Sequence, residues 1–224
     1  MNWFSVRIFV FLLFPGFLFS VSSYASAGWE FLEEEDGIKV YKKDLPGSIL
    51  GAFKGETVIG ASMGTIFSIL SDPKLRVSWV DRLVEIKVLS KSQNPLQVVE
   101  YSRIDLPWPV SDRDFVTQTV AKYNKKTKTI MTQGKSVRHS LAPRKDDAVR
   151  GETYGAHVTL RELGPKRTFV SIDVHADPKG WMPAWLINFA QREWPYNTLT
   201  KLKELSRRDH ISITDSYKTL VEGT

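Results

Sequence analysis

No cysteine occurs among the 224 residues. That excludes disulfides, thiolate nucleophiles and zinc–thiolate centres. Histidine is scarce too: the four residues His139, His157, His175 and His210 stand apart along the chain. There is no His-Glu-x-x-His pair and no glycine-rich phosphate loop. No catalytic residue, metal site or cofactor is therefore assigned, and the chain is expected not to be an enzyme. One arrangement stays open as an acid–base or metal site, because His157 and His175, on neighbouring strands, are joined by Asp173. The commoner reading of such histidines is as satisfied core or surface residues. Internal repeats, low-complexity stretches and long linkers are also missing, so a single domain is expected.

A long hydrophobic run appears only at the start. Ile8 to Phe19 is apolar apart from Pro15-Gly16, follows Arg7 and leads to Ala25-Ser26-Ala27. A weak positive charge, a greasy run and a small-residue cleavage site have the layout of a secretory signal peptide. The run is shorter than the roughly 20 residues of a membrane-spanning helix. Residues 1–27 are read as a leader cleaved after Ala27, leaving 28–224 as an exported domain large enough for a real core. An exported chain without disulfides suits a bacterial periplasm.

Net charge is +6, and cleavage removes one positive charge with Arg7. Lys122, Lys125, Lys126 and Lys128 group near one turn, and Lys201, Lys203, Arg207 and Arg208 near the end. The bland reading is solvated turns and a solvated helix face. The sharper one is attraction to anionic headgroups, to which each basic residue contributes about 1 kcal/mol. No recognition motif for nucleic acid accompanies the charge.

Trp29 to Glu35 reads as a short helix stopped by Asp36-Gly37, and Ile38 to Tyr41 alternates as a strand. A turn at Leu45-Pro46-Gly47 leads to a strand near Ile49 to Ile59. Ser62 reads as a helix cap before an apolar stripe of Met63, Ile66, Phe67 and Leu70. Asp72-Pro73 opens a second short helix that ends near Trp79. Strands then follow at 83–89, 96–104, 114–123, 127–133, 150–163 and 168–176, with turns at Asn94-Pro95, Asn124 and Gly164-Pro165. Trp181 to about Arg208 reads as one long helix, kinked by Pro195. Antiparallel strands with a segregated helix give an α+β fold, and a helix laid across a curled sheet can leave a cavity.

Two segments carry the functional signal. Asp105-Leu-Pro-Trp-Pro-Val-Ser-Asp-Arg-Asp-Phe-Val116 is a proline-stiffened loop feeding a strand. Asp177-Pro-Lys-Gly-Trp-Met-Pro-Ala-Trp-Leu-Ile-Asn188 is a loop feeding the last helix. Both place aromatic and apolar side chains where chains usually turn polar, which suits a greasy ligand better than bond-breaking. With Trp79, these segments resemble the START family, the steroidogenic acute regulatory protein-related lipid transfer domains, over roughly Trp29 to Arg208. The resemblance implies a helix-grip (START/Bet v 1-like) fold, a curved antiparallel sheet wrapped around a long C-terminal helix. It also implies a hydrophobic tunnel holding one lipid, closed by a gate loop at Leu106, Pro107 and Trp108. Arg113, Asp114 and Trp181 become structural motif residues.

Positions 187, 191, 194, 198 and 202 share one side of the last helix. Ile187, Trp194, Thr198 and Leu202 are expected to face the cavity, with Gln191 as a polar contact and Glu100 and Ser102 on a strand. Sterol-binding relatives pair the acidic residue with an arginine, and Thr119 stands at that arginine's position. Glu100 must then meet another cation or water, read a polar ligand group, or reach solvent. Trp108 either faces a membrane interface or packs inward as a loop anchor. The expected partners are a lipid or other hydrophobic small molecule and, transiently, a membrane surface. A ligand sensor or interaction module, and an enzyme acting on an apolar substrate, are the alternatives.

Overall fold

Asp36 and Gly37 both have positive φ, 51° and 71°, as a two-residue type I′ hairpin turn requires. They join strands β1 (Glu30–Glu35) and β2 (Ile38–Lys43), which pair antiparallel. The expected N-terminal helix is therefore a strand. Asp-Gly is a hairpin signal here rather than a helix stop, and Phe31 packs edge-on against Tyr41 across the pair, with ring centroids 5.7 Å apart.

The computed structural model describes residues 28–93, 96–208 and 211–223. The proposed leader, the Asn94-Pro95 turn and His210 lie outside them. After β3 (Ala52–Ile59) come helices α1 (Met63–Ser71) and α2 (Pro73–Trp79). Their caps are those read from the sequence. Ser62 Oγ accepts from Thr65 N at 3.0 Å, and Asp72 Oδ1 accepts from Lys74 N at 2.8 Å, satisfying otherwise orphaned first-turn donors. Next are β4 (Leu83–Gln93), β5 (Leu96–Ile104), β6 (Asp112–Asn124), β7 (Thr129–Ser136), β8 (Ala148–Arg150), β9 (Glu152–Gly164) and β10 (Arg167–Asp177).

The strands form one sheet in the order β1-β2-β3-β10-β9-β7-β6-β5-β4, antiparallel throughout, with the short β8 added parallel to β6. The last strand thus returns beside the third, which brings the sheet's two halves around the C-terminal helices. The result is the expected α+β helix-grip architecture.

The expected single long helix is two: α3 (Ala184–Gln191) and α4 (Glu193–Ser206), separated at Arg192. Pro195 has no N–H to give to the Gln191 carbonyl, and its ring crowds that oxygen. An unforeseen helix α5 (Asp215–Glu222) follows, capped by Thr214. Among the described residues, no helix is long and apolar enough to cross a membrane.

The main core joins Ile38 and Val40 of β2, Ile66 and Ile69 of α1, and Leu199, Leu202 and Leu205 of α4 to Ile130, Leu160 and Val170 of the sheet. Gly55 of β3 lets α4 approach: a Cβ there would lie 2.7 Å from Leu199 Cδ1 and 3.2 Å from Pro195 Cβ.

Candidate functional site

Between sheet and helices lie two chambers of about 220 and 260 Å³ that meet at Ala156 and Val174, residues lining both. The outer chamber lies under the 105–112 loop. Leu106 of that loop and Met182, Leu186, Phe189, Ala190 and Trp194 of the C-terminal segment face Phe53, Ser102, Ile104, Phe115 and Thr117 of the sheet. Phe53 and Trp194 pack edge-to-face at 5.5 Å. The inner chamber lies among Phe67 and Leu70 of α1, Arg76 and Trp79 of α2, and Val98, Glu100, Thr119, His157 and Asp173 of the sheet.

Of the side chains expected to line the cavity, the structure places Glu100 in the inner chamber and Ser102 and Trp194 in the outer one. The remaining helix positions require correction. Gln191 lies outside both linings and donates from Nε2 to the Leu50 carbonyl at 2.9 Å. Thr198 is buried and its hydroxyl accepts from Asp81 N at 3.2 Å. Leu202 belongs to the core, and Ile187 is half-buried away from both chambers. The expected face is out of phase already in α3: the cavity stripe runs 182, 186, 189 and 190, and α4 adds Trp194. These positions are spaced by three and four residues and form one helical face, rotated by about one residue from the expected 187, 191, 194, 198 and 202.

Both carboxylates of the inner chamber have side-chain partners. Glu100, only 7% exposed, accepts from Arg76 Nη1 at 2.5 Å. Arg76 also donates to the Leu70 carbonyl from Nε (3.1 Å) and Nη2 (2.8 Å). The partner left open by Thr119 is thus an arginine on α2, and the solvent alternative for Glu100 does not apply. Thr119 itself lines the same chamber. His157 Nδ1 and Asp173 Oδ1 stand 3.0 Å apart across the β9–β10 pair. His175 is not with them: it stacks at 4.9 Å on Tyr154. Among the described residues, no group of three or more histidines and carboxylates could hold a metal ion.

The two signal segments are tied by Arg113. It is 3% exposed and donates to the carbonyls of Pro178 (2.8 Å), Lys179 (3.0 Å), Trp181 (3.0 Å) and Ser111. Burial pushes its pKa below the ordinary value, partly offset by nearby Asp112. Arg113 therefore fixes the loop base through backbone carbonyls. The ion pair belongs to Asp114, which takes Arg150 in a fork at 2.8 and 2.9 Å; those hydrogen bonds hold the Arg150 pKa above its usual value. Beyond this base Leu106 faces the cavity, Pro107 is half-buried, and Trp108 points outward at 91% exposure. The inward-anchor reading of Trp108 is excluded. Trp181 (66%) and Trp185 (51%) are also exposed.

One motif escaped the sequence reading. Gly60-Ala-Ser-Met-Gly64 spells Gly-x-Ser-x-Gly at a strand–turn–helix junction, the setting of a hydrolase nucleophile elbow. Ser62 lacks that chemistry. Its backbone is extended, at φ −67° and ψ 151°, and its hydroxyl is engaged with Thr65 N and, at 2.8 Å, Thr65 Oγ1. It caps α1.

Comparison with known proteins agrees with this architecture. The START domain family model matches residues 21–195. An uncharacterised protein of Pseudomonas aeruginosa is 32% identical over 197 residues, covering 85% of this chain and 93% of that protein. The mouse phosphatidylcholine transfer protein is 26% identical over 189 residues, 82% of this chain and 86% of its own. Among solved structures, a STAR-related lipid transfer protein fragment from Xanthomonas axonopodis superposes with a TM-score of 0.70 at 27% identity, covering 81% of this chain and 99% of the fragment. Human StAR-related lipid transfer protein 5 superposes at 0.74 with 20% identity, over 82% and 88% of the two chains, and so supports the fold alone. The curved sheet, the gripped helices and the cavity between them, together with this family match, make the chain a member of the START domain family.

Proposed function

We propose that the chain binds one lipid, or another hydrophobic small molecule, in the two-chambered cavity and carries it between membranes or to a partner. The observation that carries this reading is the cavity space itself: two adjacent chambers that share Ala156 and Val174 in their walls, lined mainly by apolar side chains, the outer one beneath a loop with an exposed tryptophan. Removing a methylene from water gains about 0.8 kcal/mol, so a sixteen-carbon chain resists crossing water by about 13 kcal/mol. A carrier needs only to match the bilayer while hiding the tail. The barrier then lies at the mouth, where the gate meets the membrane. Trp108, Trp181 and Trp185 offer amphipathic rings suited to the headgroup level, which supports transient membrane contact.

The names of the phosphatidylcholine transfer and STAR-related lipid transfer relatives support the same class of cargo. The leader-like first 27 residues and the absence of cysteine support export to a periplasm. The paired charges of the inner chamber and the capping role of Ser62 favour carriage over catalysis. The test is native mass spectrometry with solvent extraction of protein purified from its own compartment, followed by transfer between donor and acceptor vesicles. A co-purifying lipid and protein-dependent transfer are expected. Failure to retain or bind any apolar molecule would overturn the reading, and loading without exchange would make the chain a sensor.

A further inference from the structure

We infer that the outer chamber selects amphiphiles with an anionic head, and that Arg82 is the residue that reads the charge; this rests on the lipid-carrier reading above. Arg82 lines the outer chamber, with its guanidinium carbon 4.6 Å from the centre of the Phe189 ring. Its Nε is buried without a hydrogen-bond partner, and no ion pair forms to its guanidinium among the described residues. Every other charge in the two chamber walls is engaged. Arg76 holds Glu100, His157 faces Asp173, Lys91 donates to Ser216, and Arg113 spends its donors on four carbonyls. Nearby carboxylates do not pair with it: Asp81 binds Lys201 at 2.5 Å, Asp112 binds Arg103 at 2.7 Å, and Asp105, exposed, forms no ion pair with Arg82 among the described residues. No carboxylate lines the outer chamber.

A cation facing an apolar chamber without a counter-ion is costly, and a planar guanidinium fits a carboxylate or phosphate oxygen pair. The backbone adds a second observation. Arg82 has φ +60°, and its carbonyl accepts from Asp105 N at 2.9 Å, where the gate loop begins. A non-glycine residue held in that region is strained and persists where the surroundings impose it, often at ligand clamps. The charged end of the ligand accordingly lies beneath the gate, with the tail running past Ala156 and Val174 into the inner chamber.

The experiment uses matched probes with and without charge. The single-chain pair is cis-parinaric acid and its methyl ester, read by fluorescence on binding. The two-chain pair is pyrene-labelled phosphatidylglycerol and pyrene-labelled diacylglycerol, delivered from vesicles. Wild-type protein is expected to favour the charged member of one pair at least tenfold. Preference in the first pair identifies a carboxylate, and preference in the second a phosphodiester. Arg82→Gln should remove the preference while keeping uptake of the uncharged probe, which also reports correct folding, and Arg82→Lys should keep part of it. Equal uptake of charged and uncharged probes by wild type, or a preference that survives Arg82→Gln, overturns the inference but leaves the carrier reading standing. Binding of none of the four probes overturns both.

Discussion

The two chambers share the same sheet and treat charge in opposite ways. The inner one contains two carboxylates, and each has a side-chain partner: Arg76 on Glu100 and His157 on Asp173. The outer one is walled by Leu106, Met182, Leu186, Phe189 and Trp194, and no acid faces its arginines. The paired end stiffens the protein, since a buried pair resists loss of either partner. The unpaired end lies under a loop whose tip is a solvent-facing tryptophan. Stability and ligand handling are thus separated along one cavity, and mutations at the two ends should report different quantities.

The largest effect expected is at the inner end. Glu100→Ala leaves Arg76 facing a chamber without its counter-ion and should cost about 3 kcal/mol, read as a fall in the urea midpoint. Arg76→Met with Glu100→Leu should cost much less than the two single changes together. Single changes within about 0.5 kcal/mol of wild type would mean that the pair is too wet to matter, and the contrast between the chambers would collapse.

At the neck, Ala156→Trp should separate the chambers and lower lipid loading at least about tenfold, with about 1–3 kcal/mol lost to overpacking. Loading measured by extraction and mass spectrometry should fall far more than the melting temperature suggests; unchanged loading would show that the ligand uses one chamber alone. At the gate, Trp108→Ala should slow vesicle-to-vesicle transfer severalfold and leave equilibrium binding within about twofold, because an exposed ring acts at the interface rather than on the bound ligand. Equal losses in rate and affinity would contradict the gate.

The smallest effect expected is at the rim. Asp177 is partly buried, which by itself raises its pKa, but hydrogen bonds from the Lys179 side chain and backbone outweigh burial and lower it overall. A lowered carboxylate pKa adds stability at neutral pH that is lost as pH falls through the folded-state value, below the ordinary 3.8. The carboxylate is still over a third exposed, at 37%, and the gain is screened, so Asp177→Asn should cost under about 1 kcal/mol. The mutant should show a shallower acid limb in stability measured from pH 5 to pH 2. An unchanged acid limb would rule out this contribution.

Legibility followed the range of the forces involved. Ser62 and Asp72-Pro73 were readable as caps because a cap is satisfied within three residues. The loops around Trp108 and Trp181 were readable because apolar residues in a turn stand out locally. Asp36-Gly37 was misread because the same two residues can stop a helix or turn a hairpin, and the choice depends on β2 pairing with β1. The phase of the cavity stripe was misplaced by about one residue, already in α3, because apolar residues there lie on more than one face and only packing against the sheet selects among them. Arg76 was invisible as the partner of Glu100, since 24 residues and a change from helix to strand separate them. Arg82 looked like any other basic residue near a turn.

The amino-acid order by itself determined the α+β class and the start points of α1 and α2, because periodicity, caps and proline act over one or two turns of chain. Closure of the sheet onto the helices decided the rest: which helix face meets the cavity, that Glu100 has a counter-ion, and that Arg82 has none. Those outcomes depend on side chains distant in sequence meeting across a packed interior, where a charge is either matched or left exposed to a ligand.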